Sequence, residues 1–274
     1  NTLTPDEKSR ARELFTDLTE RMTDAIIRVC DANQGRCPFR VNLEFKAIDE
    51  HDNPIEVNPD EVGAGDIFVA KGLIAQGSHD KVRQGMAMIA NAAQAIRENR
   101  YGVQQQFADQ PRDVGQGPKM LIQDMAPLIC RKTTSPQLRA AGLTIAAEFM
   151  EAVLDLHVDP ETAVFAEYID TTTKARKSYL DPGHASEFVG LGLAAVEAMQ
   201  HNINSLTGDR KNLIDRARRD MPRLLVQSCR IGWNAKYRGL HKAVDTATGA
   251  VINHDMPWWN LPETMRPPAF ALPA

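Results

Sequence analysis

A chain of 274 residues with 43% hydrophobic and 25% charged residues can bury a sizeable core and has the balance of a soluble globular protein. Its net charge of −4 and pI near 6.0 argue against a nucleic-acid or anionic-membrane partner. No apolar run approaches the roughly 18 residues that span a bilayer, and the opening Asn1-Thr-Leu-Thr-Pro-Asp-Glu-Lys has no signal-peptide character. A first residue other than Met leads us to expect a chain that was processed or cut from a longer one. Cys30, Cys37, Cys130 and Cys229 form no CxxC pair and have no His at zinc spacing. They read as free thiols in a reducing compartment, so a cytoplasmic location is expected.

Thr4-Pro5-Asp6-Glu7 opens a long helix to about residue 32. Leu14, Leu18, Met22, Ile26 and Val29 recur at helical steps, so the helix should bury one stripe. Cys37-Pro38 ends it. Phe39 to Ala47 alternates, Asp49 to Pro54 is a turn and Ile55 to Val57 can return, which predicts a β-hairpin. Asp66 is a plausible N-cap for a helix to Gln76. A second helix runs from about Asp80 to Arg100 on a stripe of Val82, Met86, Ile89, Ala93 and Ile96. The Gln-rich stretch from Tyr101 to Gly117 reads as an exposed loop.

Gly117-Pro118 leads into a helix to about Cys130, and Ser135-Pro136 opens another to about Leu156. Thr162 to Asp170 is extended. A helix follows from His184 to about Gln200, and a further one from Asp209 to about Trp233, where Pro222 implies a kink or a break. Leu240 to Val244, a turn at Asp245 to Gly249, and Val251-Ile252 make another hairpin. Trp258 to Arg266 begins the last helix. Helix, hairpin or extended loop, helix recurs about three times without parallel-strand patterning, an architectural repeat. The fold class expected is all-α with short β-hairpins, in one domain over residues 1–274, its helices paired around a ring.

The stretch richest in chemistry is Tyr179-Leu-Asp-Pro-Gly-His-Ala-Ser-Glu-Phe188. Asp181-Pro182-Gly183 delivers His184 to a helix start, and Glu187 follows on the same face. An imidazole beside a carboxylate transfers protons near neutral pH. The same spacing also suits a plain capping arrangement.

Asp181-Pro-Gly-His-Ala-Ser-Glu187 resembles the PGHxxE motif of the N-acylglucosamine 2-epimerase family, which includes aldose–ketose isomerases and cellobiose 2-epimerases. Gly232-Trp233-Asn234, Arg238-Gly239-Leu240, Asp245, Gly249 and Trp258-Trp259-Asn-Leu-Pro-Glu263 are similar to its later motifs in the same order. Gly117 to Leu121 looks like the loop entering the family's central helix. The resemblance implies an (α/α)6 toroid, here toroid-like and an incomplete ring, short at both ends, since the helices fall short of six pairs. It implies a sugar epimerase or aldose–ketose isomerase that removes the proton beside the carbonyl of an open-chain sugar through an enediolate, with no metal or cofactor required.

By the same resemblance, His184 would be a catalytic acid/base with Glu187 beside it. Trp259 and Glu263 would contact sugar, and Trp258, Met120 and Asp66 are further candidate sugar-binding positions. The expected partner is a small-molecule sugar, with a homodimer left open and no nucleic acid or membrane. The chain departs from the family in lacking a second catalytic His, and Leu121 stands where some members carry His. Structural readings stand beside these: Trp258 and Trp259 as core plugs, Glu263 as a dipole-favoured first-turn acid, Asp245 as a turn residue, and His254-Asp255 as a solvated pair. Alternative functions are a toroid hydrolase, for which Asp181 with Glu187 is the tempting carboxylate pair, and a non-catalytic sugar- or partner-binding relative.

Overall fold

The computed structural model describes residues 3–49, 51–98, 100–102, 114–170, 172–206 and 210–271. Among these, α-helices dominate, and the strands are two or three residues long. Contacts divide the chain into two compact units, Asn1–Gln110 and Pro111–Ala274.

In the first unit, α1 (Pro5–Ala32) starts on a reciprocal cap. The Glu7 amide donates to Thr4 Oγ1 (3.3 Å), and Glu7 Oε2 accepts from the Thr4 amide (2.7 Å). The expected buried stripe is not there. No α1 residue is fully buried, Leu14, Leu18 and Met22 are 64%, 46% and 55% exposed, and Ile26 and Val29 are half-buried. Periodicity puts apolar groups on one face but does not supply what covers that face.

The free-thiol expectation fails for one pair. Cys30 and Cys37 are joined as a disulfide, their Cα atoms 5.1 Å apart, while Cys130 and Cys229 are free. Gln34 and Gly35 both adopt positive φ, and the Gly35 amide bonds back to Cys30 O at 2.8 Å. That reversal returns the chain to the end of α1 and brings the thiols into bonding range.

The expected Phe39–Val57 hairpin is instead two tight turns carrying single bridges, Val41 to Ala47 and Ile48 to Pro54. Asn42 Oδ1 accepts from the Glu44 and Lys46 amides, and Asp49 Oδ1 from those of His51 and Asn53. These Asx turns use up the backbone donors that a longer ladder would need. Helices α2 (Ala64–Gln76) and α3 (His79–Arg97) then pack together around Gly77, which is left-handed at φ 90°. Val82, Met86, Ile89 and Ala93 are buried as expected. Gly63, rather than Asp66, holds the N-cap position of α2. Of the Gln-rich loop, residues 103–113 lie outside the described residues.

In the second unit, β1 (Val114–Gly115) precedes α4 (Gly117–Gln123) and α5 (Met125–Lys132). The single helix expected here is divided at Asp124. Helix α6 (Pro136–Leu156) begins as read, with Ser135 Oγ accepting from the Leu138 amide at 3.3 Å. Strand β2 (Tyr168–Ile169) pairs antiparallel with β1. Strand β3 (Tyr179–Leu180) leads directly into α7 (Pro182–His201).

Helix α8 (Arg210–Gly232) runs through Pro222 as one helix. A short hairpin that the sequence reading missed follows, β4 (Trp233–Asn234) with β5 (Gly239–Leu240). The next hairpin is where it was expected, β6 (Ala243–Asp245) with β7 (Val251–Asn253), and β3 pairs on the other edge of β6. Helix α9 (Asn260–Ala271) starts two residues later than expected and carries Pro267 and Pro268 inside it. The core gathers around α7. Phe188 and Phe165 are fully buried and stack at 5.9 Å, with Met125, Ile129, Leu143 and Met150 also fully buried.

Candidate active site

The N-terminus of α7 is fixed from both sides. Leu180 is tied into the sheet opposite Val244, and the next residue, Asp181, is the N-cap. Its Oδ1 accepts from the amides of Gly183 (3.0 Å) and His184 (3.2 Å), and Pro182 occupies the first helical position. A carboxylate cap also matches the positive end of the helix dipole. Gly183 is needed for close approach. A Cβ there would lie 2.0 Å from Asn260 Oδ1 and 2.8 Å from Trp259 Cζ3. Its absence lets the start of α9 close over the start of α7.

Five side chains meet at this point. His184 Nδ1 lies 3.1 Å from Glu167 Oε1 and 3.3 Å from Asp181 Oδ2. The imidazole side chain is 33% exposed, the two carboxylates only 6% and 2%. Its ring stacks on Trp259 with centroids 5.4 Å apart and planes 29° apart. Lys242, in the link between β5 and β6, forms an ion pair with Asp181 Oδ2. Its ammonium also lies 4.9 Å from the Trp259 ring centroid, a cation–π contact.

Glu167 is held by the sheet edge: its amide donates to Tyr179 O (2.9 Å), and its carbonyl accepts from the Gln116 amide (3.1 Å). Gln116 Nε2 reaches both carboxylate oxygens at 3.4 Å. Nearby, Lys119 Nζ donates to Gly115 O (3.0 Å) and lies 3.5 Å from His157 Nε2. His157 Nδ1 is 2.9 Å from Ala166 O. A carbonyl only accepts, so that ring carries its proton on Nδ1 and turns Nε2 to the lysine as an acceptor.

These surroundings drive the two histidines apart. Burial works against charge on His184, but Glu167 and then Asp181 overcome it and push the imidazole up to about 9. At neutral pH it is an imidazolium. Burial and the Lys119 ammonium bring His157 down to about 3, so it is neutral. Burial lowers Lys119 to about 8 despite Glu167. Burial and the nearby carboxylates push Tyr179 up to about 12, and raise Tyr168 in the same way. With Nδ1 facing two carboxylates, Nε2 is the His184 nitrogen available to exchange a proton with a bound molecule.

Of the residues singled out from sequence, His184 and Trp259 come together. Glu187 is half-buried one turn further along α7, while the carboxylates at the imidazole are Glu167 and Asp181. Trp258 is 80% exposed, so it is no core plug. Glu263 sits on the first turn of α9, its Oε1 paired with Arg266 at 3.0 Å and its Oε2 buried without a hydrogen-bond partner among the described residues. Burial raises its pKa against the pull of Arg266, and Asp124 adds to the rise. Met120 is a core side chain of α4, 4% exposed. Asp66 belongs to the first unit, where its carboxylate accepts from the Gly63 and Cys37 amides at 2.8 and 3.0 Å. It ties α2 to the disulfide loop.

Glu167, Lys242, Gln116, Lys119 and His157 carried no site assignment from sequence. Asp181 was visible in the motif, but its bond to the imidazole was not. Among the described residues no group of three or more His, Cys, Asp or Glu side chains is arranged to hold a metal ion, and no helix is long and apolar enough to cross a membrane.

No protein-family model and no curated protein matches this sequence. Solved structures do match by fold. A D-mannose isomerase is similar over 75% of this chain and 51% of its own, with a TM-score of 0.53 and 14% identity. A cellobiose 2-epimerase from Bacillus thermoamylovorans B4167 covers 79% of this chain and 58% of its own, with a TM-score of 0.46 and 10% identity. The chain therefore spans about half the length of the D-mannose isomerase it matches. At such identity the likeness is one of fold: the chain is mostly helical with short β-hairpins, of the α/α-toroid kind.

Proposed function

We propose that this chain acts as a sugar isomerase or epimerase, transferring a proton at the carbon beside the carbonyl of an open-chain sugar with His184 as an acid/base. The observation that carries the reading is the His184 imidazole, held through Nδ1 by two buried carboxylates and stacked on Trp259. The fold shared with a D-mannose isomerase supports it.

Loss of the proton beside a carbonyl leaves an enediolate, whose oxygen needs a proton or a positive charge beside it. The imidazolium formed when neutral His184 takes that carbon-bound proton on Nε2 supplies both beside the oxygen. Removing the carbon-bound proton requires the neutral imidazole, which grows in as pH rises toward 9. Return of the proton to the neighbouring carbon gives isomerisation, and return to the opposite face gives epimerisation. Trp259 and Lys242 border the same space, with Trp259 offering a ring against which a sugar face can lie. Glu263, on the first turn of α9, and Glu187, one turn further along α7, remain proposed pocket residues.

The hydrolase reading loses its carboxylate pair. Both Asp181 oxygens are engaged, by two amides and by Lys242 and His184, and its side chain is 2% exposed. The deciding experiment incubates the protein with D-mannose, D-glucose and D-fructose in D2O and reads deuterium at the carbon beside the carbonyl. We expect incorporation that climbs between pH 7 and 9 and vanishes in His184→Asn. Release of reducing ends from oligosaccharides, with no deuterium in any monosaccharide, would sink the proposal in favour of hydrolysis. Undiminished function in the variant would point to a binding role.

A further inference from the structure

Asp181 is over-subscribed. Its Oδ1 takes two backbone amides, leaving Oδ2 to serve both the Lys242 ammonium and His184 Nδ1. Lys242 is also placed by Trp259, the ring on which His184 stacks. The two cations are thus fastened to the same carboxylate oxygen and the same indole, while Glu167 holds the imidazole from the other side. Two positive and two negative charges make a balanced quartet with little solvent around the acids. Taking away one cation leaves the imidazolium alone between two carboxylates.

We propose that Lys242 is a positioning residue for His184, sharing Asp181 so that the carboxylate pair holds the imidazole without locking its proton in place. This rests on the reading of His184 as the acid/base. The groups facing the imidazole come from several elements: Glu167 before β2, Asp181 at the cap of α7, and Lys242 between β5 and β6. Glu187 lies on its own helix, and Glu263 with Arg266 on α9. Tyr168 and Tyr179 lie beside the same carboxylates, with Lys119 and His157 behind Glu167. Of these, Lys242 is the cation in contact with a carboxylate that also contacts His184. Its like charge also works against protonation of the imidazole, as the balance requires.

The test is a titration of the His184 ring carbon resonances by NMR on the intact protein, which needs no substrate. In Lys242→Met the midpoint should move alkaline by on the order of one pH unit, the size expected when a nearby like charge is removed. Lys242→Arg keeps the charge and should stay near the wild type. Lys242→Gln, closer in shape, serves should the Met variant not fold. Midpoints in the neutral variants that coincide with the wild type overturn the proposal, as does an Arg variant that moves with them. If the wild type exchanges no sugar proton while the midpoints still shift, the functional reading has failed and the coupling stands. If exchange occurs, its pH profile should shift alkaline in Lys242→Met in step with the resonance.

Discussion

Helix α1 and helix α7 both start from a side-chain cap followed by proline, Thr4 before Pro5 and Asp181 before Pro182. Beyond that first turn they diverge. Helix α7 carries Val, Leu, Ala and Gly on all sides and is buried along most of its length, from Ala185 to Met199. Helix α1 is interrupted by charges at every turn and has no fully buried residue. A cap satisfies amides that any helix start leaves open, so it is a local device blind to the surroundings. Burial depends on what the rest of the chain brings, and only the buried helix can hold its first turn still enough to present an imidazole to two acids.

The strongest way to break this contrast is to empty the core behind α7. Phe188→Ala removes a fully buried ring stacked on Phe165, and should cost about 3–5 kcal/mol. All three tryptophans, Trp233, Trp258 and Trp259, lie in the second unit, so denaturant unfolding followed by their fluorescence reads that loss. An unchanged midpoint would mean that α7 is not the centre of the core. Next comes Gly183→Ala, whose new methyl meets Asn260 and Trp259. Forcing those groups aside should cost about 1–3 kcal/mol and change the Trp259 emission, because the indole must leave its place on His184.

The histidines on the two sides of Glu167 sharpen the picture through opposite pH slopes. His157 is held near 3, against an ordinary value of 6.5. Below 6.5 the unfolded chain takes up a proton that the folded one refuses, so stability is lost as pH falls from 6.5 toward 3. His157→Gln should remove that loss, seen as a wild-type minus variant difference that shrinks in acid. His184 is raised to about 9. Its contribution is complete below 6.5 and disappears as pH rises through 9, so the difference from His184→Asn should shrink in the alkaline range. Melting curves across pH 4 to 10 decide both, and parallel slopes would refute the assignment of one histidine as neutral and the other as charged.

What could be read from sequence follows how far apart the partners lie. The caps of α1 and α6 were legible because each partner is within three residues, whereas at α7 the capping reading fell on His184 with Glu187 and the cap is Asp181. The placement of His184 at a helix start was legible. Glu167 was not, because it reaches the imidazole from 17 residues away, from the residue before a two-residue strand with no pattern of its own. Lys242 and Asp181 are 61 residues apart and meet only because β3 pairs with β6. The Cys30–Cys37 bond escaped for a different reason: it depends on a left-handed reversal at Gln34-Gly35, which cysteine spacing does not reveal. Asp66 was taken for a cap from its position before an apolar run. One turn of difference moved it from the helix end to a brace on the Cys37 amide.

The smallest expected effect falls on α1 and is the sharpest test of the contrast with α7. Leu18→Ala deletes an apolar side chain at a helical position, as a core substitution would, but Leu18 is 46% exposed. Little surface returns to water on unfolding, and alanine is the better helix former. The change in stability of the isolated chain should therefore stay within about 0.5 kcal/mol, measured by loss of helical circular dichroism in denaturant. A loss of several kcal/mol would show that the Leu14–Leu18–Met22 face is buried in solution. The two helices would then differ in what covers them rather than in whether they are covered.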